Sequence, residues 1–254
     1  MRTFVIGDPH GCADELRDLA SQLGLVDGDR VIIAGDLVDR GPDPAGVIAF
    51  ARTSGFEAVL GNHDEKMLRW FNREEQRLAT GRENKMKPPR PDRLAQWESI
   101  PQEDRGWVAK LPLLINLKTE TGEPWIVVHA GFEDVPMDEQ RPDKIIRVRW
   151  LDADGKMVPL PRDRAGKTWS EMTPPGAVVW ATRWKGPGNV VYGHAVHSLE
   201  KPRVDVRPHD QVQCWGIDTG CCFGGHLTAL CLETRDFVCV QARREYSKLV
   251  MDDA

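Results

Sequence analysis

The stretch "RVIIAGDLVDRGPD", residues 30 to 43, decides the reading of this chain. Four apolar residues run into a glycine, and within the next five positions stand Asp36, Asp39 and Arg40. A short apolar run bounded by a turn residue reads as a buried strand. Charge crowded at the end of such a strand needs a partner, because an unpaired buried carboxylate is costly. The same event recurs along the sequence. "TFVIGD" (3 to 8) leads to Asp8 and His10, "EAVLGN" (57 to 62) to Asn62 and His63, "PWIVVHAG" (124 to 131) to His129, and "NVVYGHA" (189 to 195) to His194.

Between the first three of these runs, apolar residues recur at helical spacing: Leu16, Leu19, Ala20 and Leu23, then Val47, Ile48 and Ala51, then Met67, Leu68 and Phe71. The alternation predicts an α/β fold that opens with a parallel sheet, in which ligands bind beyond the carboxyl ends of the strands. From about 72 to 110 the text turns charged and proline-containing, and is expected to form a partly helical cap insertion. A second irregular stretch runs from about 132 to 175. The later runs "AVVWATRW", "NVVYGHA", "VQCWGIDTG", "HLTALCLE" and "FVCVQA" predict a second, largely antiparallel set of strands. One domain over residues 1 to 254 is the expectation for this length.

Lys and Arg number 34 against 39 Asp and Glu, a net charge of -5, which argues against a general electrostatic grip on DNA or RNA. No apolar segment reaches the ~20 residues of a membrane helix, and "MRTFVIGD" does not read as a secretion signal. The expectation is a soluble, cytoplasmic protein without a membrane partner. The six cysteines contain no C-x-x-C pair and read as reduced, mostly buried thiols.

The strand-end residues share one chemistry. Asp, His and Asn offer oxygen and imidazole donors suited to manganese, iron or zinc rather than calcium. Asp8 and His10 fall on the same side of an extended segment. Six donors exceed what one tetrahedral ion takes, whereas two ions roughly 3.5 to 4 Å apart can share a carboxylate. Asp36 is the expected bridge. Glycines 7, 35, 61 and 193 fit turns where backbone passes close to these donors.

The ordered set "GDPHG", "GDLVDRG", "GNHD", "VVHAG" and "VVYGHA", from residue 7 to 194, resembles the calcineurin-like metallophosphoesterases, in their phosphoprotein phosphatase branch. The later segment "GIDTGCCFGGHLTAL" (216 to 230) resembles the corresponding segment of the bacterial symmetrical diadenosine tetraphosphate hydrolases of that branch. The resemblance implies a four-layer sandwich, with two mixed β-sheets packed face to face and flanked by helices. It also implies that Asp8, His10 and Asp36 hold one divalent ion, and that Asp36, Asn62, His129 and His194 hold the other. Manganese is the expected ion, with iron, zinc, cobalt and magnesium as alternatives. By the same resemblance, metal-bound hydroxide attacks phosphorus, His63 is the general acid oriented by Asp39, Arg40 binds the phosphate, and Arg183 is either a second phosphate-binding arginine or a strand-end salt bridge.

The expected reaction is symmetrical cleavage of a dinucleoside polyphosphate, diadenosine tetraphosphate giving two ADP. The alternative is a phosphoprotein phosphatase acting on Ser, Thr or Tyr, with dual activity between the two. Asp39 supports that alternative, since many of the dinucleotide hydrolases read A-R-G-P where this chain has Asp39-Arg40-Gly41-Pro42. A metal-dependent binding module without turnover is the third reading, disfavoured because every expected position is filled. Other groups carry less. Asp64 reads as a site residue or, almost equally, as a helix N-cap, and His197, His209 and His226 lack companion ligands. Trp70, Trp97, Trp150 and Trp184 read as core rather than as platforms for a base. Lys85, Lys87, Arg90 and Arg93 are either a solvated face or a receptor for polyphosphate.

Overall fold

A computed structural model describes residues 1–161, 172–206 and 212–248. His209 and part of the second irregular stretch lie outside the described residues. The opening rhythm is as read: strand β1 (Thr3–Ile6), helix α1 (Ala13–Gln22), β2 (Arg30–Ile33), α2 (Pro44–Thr53), β3 (Glu57–Ala58) and α3 (Asn62–Thr80). Helix α2 begins where Asp43 accepts a hydrogen bond from the Gly46 amide, with Pro44 in the first turn. The charged insertion contributes α4 (Pro91–Ser99) and α5 (Gln102–Val108). After it come β4 (Leu114–Lys118), β5 (Pro124–Val128), the short α6 (Pro142–Ile145), β6 (Trp150–Leu151), β7 (Met157–Val158) and β8 (Val178–Val179). The chain continues with β9 (Asn189–Tyr192), β10 (Arg203–Val206), β11 (Gln213–Gly216), β12 (His226–Cys231) and β13 (Phe237–Gln241).

Two five-stranded mixed sheets result. The first has the order β13-β12-β1-β2-β3, with β1, β2 and β3 parallel and the last two strands of the chain antiparallel at its other side. The second has the order β10-β11-β9-β5-β4. Here the structure corrects the expectation of a largely antiparallel set: β5, β9 and β11 are mutually parallel, and only the edge strands β4 and β10 run against them. The segments "HLTALCLE" and "FVCVQA" leave that sheet and complete the first one. The run "AVVWATRW" is a strand for two residues only, because Trp180–Arg183 coil into a 3-10 turn. A small third sheet, β7-β6-β8, joins two short strands of the second irregular stretch to these two residues.

Side-chain alternation fills three apolar layers. Phe4, Ile6, Val31, Ile33, Leu227 and Ala229 face α1 and α2. Their neighbours Val5, Ile32 and Leu230 turn inward and meet Trp125, Val127, Val191 and Trp215 of the second sheet. The opposite face of that sheet, Ile126, Val128, Val190 and Tyr192, packs on Phe132, Ile145, Trp180 and Trp184. Strands buried on both faces read as continuous apolar runs, which is why these segments stood out in the sequence. All four tryptophans considered above are buried, Trp97 and Trp150 almost completely.

Candidate active site

The parallel strands of both sheets deliver their carboxyl ends to one mouth. Asp8 and His10 follow β1, Asp36 follows β2, Asn62 opens α3 after β3, His129 follows β5 and His194 follows β9. All six are buried. Asp36 stands between two groups. His10 Nε2 lies 3.4 Å from its Oδ2, and His129 Nε2 lies 3.3 Å from its Oδ1. His10, Asp36 and His63 form one tight triad of donors, and Asp36, His129 and His194 form another. Asn62 Oδ1 is 3.0 Å from His129 Nε2. Asp8 stands beside rather than inside these triads. Its Oδ2 accepts from the His194 amide at 2.9 Å, and its buried Oδ1 has no partner.

Three of the rings are aimed by backbone. His10 Nδ1 faces the Val38 carbonyl at 2.9 Å and His129 Nδ1 faces the Ala34 carbonyl at 2.8 Å. Each donates there, which turns its Nε2 toward the cluster, the outer-shell arrangement of metal-binding histidines. His194 is reversed, with Nε2 toward the Arg147 carbonyl at 3.2 Å, so its Nδ1 is the free donor. The backbone is held in unusual conformations to achieve this. His10, Asp36, Asp39, Arg40 and His194 all have positive φ, between 41° and 72°, and among the described residues the only other non-glycine case is Arg235. Left-handed backbone costs of order 1–3 kcal/mol for such residues and gathers at functional sites. Glycine is required beside them. A Cβ on Gly193 would stand 1.8 Å from Asp8 Oδ1, and one on Gly61 would stand 2.2 Å from Asp36 Oδ1.

The electrostatics of the cluster are unbalanced without cations. Burial, then repulsion from Asp218 and Asp36, pushes the Asp8 carboxyl well above the ordinary carboxylate range. Burial likewise raises Asp218 to about 6. Burial lowers His10 to about 3 and takes His194 well below the usual imidazole range. Asp36 goes the other way: burial opposes its charge, but His129, His63 and His10 together hold it well below the usual range. Against burial, Asp36 raises His129 above the usual imidazole range; an orphaned carboxylate oxygen, imidazole nitrogens turned inward and a glycine cradle fit divalent cations, and the donor types suit transition metals.

His63 sits at the rim of the cluster with Nδ1 2.5 Å from Asp39 Oδ2. Asp39 is completely buried, and its other oxygen accepts from Trp97 Nε1 at 2.7 Å and faces Arg93 Nε at 3.5 Å. Although burial alone would raise it, the bond and charge of His63, followed by Arg93 and Trp97, keep its carboxyl below the ordinary range. Neither Trp97 nor Arg93 carries a motif that would mark it from sequence. Asp64 is a cap and a tether: it accepts from the amides of Gly61, Leu37 and Val38 and so fixes α3 to the loop after β2.

Arg40 Nη2 approaches His63 Nε2 at 3.4 Å, its guanidinium lies over Phe223 and its buried Nε has no acceptor. Arg183 is placed elsewhere, against expectation. Its Nη1 donates to the carbonyls of Asp152 and Ala153, and its Nη2 to Asp134 at 2.9 Å, so it ties together the loops around β6 and β7. A neighbouring strand-end arginine, Arg149, comes to the cluster instead. It is half-buried, its buried Nε is unpartnered, and its Nη2 donates to the His194 carbonyl at 3.5 Å. Burial lowers it to about 9, against the pull of Asp36, and Arg40 lowers it further. Two guanidiniums with free buried N–H groups converging on one mouth can grip a phosphate. The signal for Arg149 was a charged residue between Val148 and Trp150, both turned into the core.

The calcineurin-like phosphoesterase model matches residues 1–227. The chain belongs to this family. As a member of the metallophosphoesterases it is a hydrolase that works with divalent metal ions. Its relatives include the asymmetrical bis(5'-nucleosyl)-tetraphosphatase PrpE of Geobacillus thermodenitrificans, 32% identical over 91% of this chain and 90% of that protein. The symmetrical bis(5'-nucleosyl)-tetraphosphatase of Erwinia tasmaniensis is 27% identical over 96% of this chain and 99% of its own length. A solved structure provisionally described as a diadenosine tetraphosphatase superposes with a TM-score of 0.71 at 26% identity, covering 95% of this chain and 93% of that one. Among the described residues no helix of this metallophosphoesterase is long and apolar enough to cross a membrane.

Proposed function

We propose that this metallophosphoesterase hydrolyses dinucleoside tetraphosphates at a dinuclear centre. In this reading Asp8, His10 and Asp36 hold one divalent cation, and Asp36, Asn62, His129 and His194 hold the other, with manganese preferred. The observation that carries it is Asp36, whose two carboxylate oxygens face different histidines on opposite sides. When bound, the two cations would lower the pKa of a water toward neutrality and take up charge on the phosphoryl oxygens.

The chain's own residues do the rest. Arg40 and Arg149 orient the phosphate by paired N–H donors. The bond from phosphorus to the departing oxygen breaks as the water oxygen bonds to phosphorus. His63 gives that departing oxygen a proton from Nε2, while Asp39 holds Nδ1 and steadies the imidazolium.

Symmetrical cleavage, diadenosine tetraphosphate to two ADP, is the first reading of the bond attacked. The asymmetrical relatives favour ATP plus AMP as the second. Phosphomonoester hydrolysis, phosphoproteins included, is supported by the intact Asp39–His63 pair, because an alkoxide needs a proton to leave far more than ADP does. The test is a rate comparison in manganese on diadenosine tetraphosphate, ATP and a phosphopeptide, with products resolved. Two ADP upholds the first reading, ATP plus AMP replaces it with the second, and absence of dinucleotide turnover overturns the substrate class.

A further inference from the structure

The segment "GIDTGCCFGG", residues 216 to 225, supplies none of the six donors, yet it lies against the loops that carry them. A Cβ on Gly7, beside Asp8, would stand 2.6 Å from the Ile217 carbonyl oxygen. Further along, the ring of Phe223 lies under the Arg40 guanidinium, whose Cζ is 4.9 Å from the ring centre. The turn that carries this ring is fixed by its own backbone. The amides of Phe223 and Gly225 donate to the Gly220 carbonyl at 2.9 and 3.0 Å, and that of Gly224 to the Cys221 carbonyl at 3.1 Å. The Cys222 carbonyl accepts from the amides of Tyr246 and Ser247 at 3.0 and 2.9 Å. Phe223 itself is half-buried and packs on the core beneath it.

Arg40 lacks the carboxylate that usually fixes an arginine. Among the described residues its nitrogens meet only His63 Nε2, at 3.4 Å, and its buried Nε meets nothing. Asp218 feels the charge of Arg40 without reaching it. A carboxylate in contact would compete with a phosphate for the same N–H groups. An aromatic face attracts the cation and takes no N–H from it, so the guanidinium fork is oriented while its donors stay free.

We propose that Phe223 is a positioning residue, a platform that holds the Arg40 guanidinium in the pose that grips the phosphate. Because Nη2 lies beside His63 Nε2, this pose also sets the phosphate next to the nitrogen that protonates the departing oxygen. The assignment rests on Arg40 as a phosphate ligand in the reading above, and not on the tetraphosphate as substrate.

The experiment uses the full-length, manganese-loaded protein and measures inorganic phosphate as an inhibitor of aryl phosphate hydrolysis, in a cycle of Phe223→Leu, Arg40→Ala and the double variant. Leucine keeps apolar bulk and loses the ring face, and Phe223→Met runs the same cycle as a second replacement without a ring; thermal melting checks the fold of each. Phe223→Leu is expected to raise the phosphate Ki about three- to tenfold, and Arg40→Ala at least about tenfold. Once Arg40 is gone, removing the ring should add less than about 1.5-fold, the non-additivity of two groups that act as one. Phe223→Tyr, which keeps the ring face, should hold the Ki within about twofold of the native value. An unchanged Ki in Phe223→Leu, or an equal effect with and without Arg40, overturns the platform and leaves Phe223 as packing alone. An unchanged Ki in Arg40→Ala overturns the phosphate role of Arg40 and the platform with it. Coupling between Phe223 and Arg40 in a protein that does not turn over diadenosine tetraphosphate upholds the platform, and only the substrate reading falls.

Discussion

Between the two sheets, Val5, Ile32, Val127, Val191 and Leu230 interlock with nothing polar among them. A few positions further along the same strands, Asp8, Asp36, His129 and His194 crowd together with left-handed backbone at two of the four, and with an unpartnered carboxylate oxygen. The first region is built to minimise free energy as it stands. The second leaves free energy unspent, in charge held out of water and in strained backbone, and it becomes favourable only when something else arrives. One set of strands supports both because the slab fixes where the strand ends must lie.

The largest test of this contrast is Asp36→Asn. Neutralising the shared carboxylate is expected to lower kcat at least about a thousandfold, roughly 4 kcal/mol of barrier, and to reduce bound manganese measured by elemental analysis. Retained turnover would remove the reason for the charge at the mouth. Next comes His63→Ala, expected to cost about 10²–10⁴-fold on an aryl or alkyl phosphate and clearly less on diadenosine tetraphosphate, whose leaving group is already a good one. Equal losses on both would detach the Asp39–His63 pair from leaving-group protonation.

Ile32→Ala probes the slab, and should destabilise the fold by about 2–5 kcal/mol in denaturant melts while leaving kcat of the folded fraction within about twofold. Asp8→Asn should do the opposite in metal-free protein. Removing a charge that burial disfavours is expected to raise stability by about 1–2 kcal/mol, although activity falls; a lower melting temperature would mean that the mouth is not strained as argued. The smallest effect lies outside both regions. Arg2 holds the Asp29 carboxyl at about 2, below the usual value. A lowered acid stabilises fully above the unfolded pKa near 3.8, and that contribution disappears as pH falls toward 2. Asp29→Asn should flatten the melting temperature slightly over that window and leave the rate profile above pH 5 unmoved.

Much of this could be read from residues alone, for local reasons. Buried strands announce themselves by apolar runs, and the donors by their fixed place after each run. What escaped was set by distant partners. Alternation told that Leu227, Ala229 and Val240 belong to strands but not that β12 pairs back onto β1 with β13 outside it, since an antiparallel pattern does not name its neighbour. The sequence reading singles out Arg183 and passes over Arg149. Asp134 and two carbonyls claim the first, and the second is left facing the cluster. The Trp97 and Arg93 contacts to Asp39 join residues more than fifty positions apart.

The left-handed backbone at His10, Asp36, Asp39, Arg40 and His194 has an evolutionary consequence. Glycine would sit more comfortably at each of these codons, so only the chemistry keeps larger residues there. Under laboratory drift with selection for folding alone, these five positions should be among the first to lose their identity, and a lineage forced to keep turnover should hold all of them.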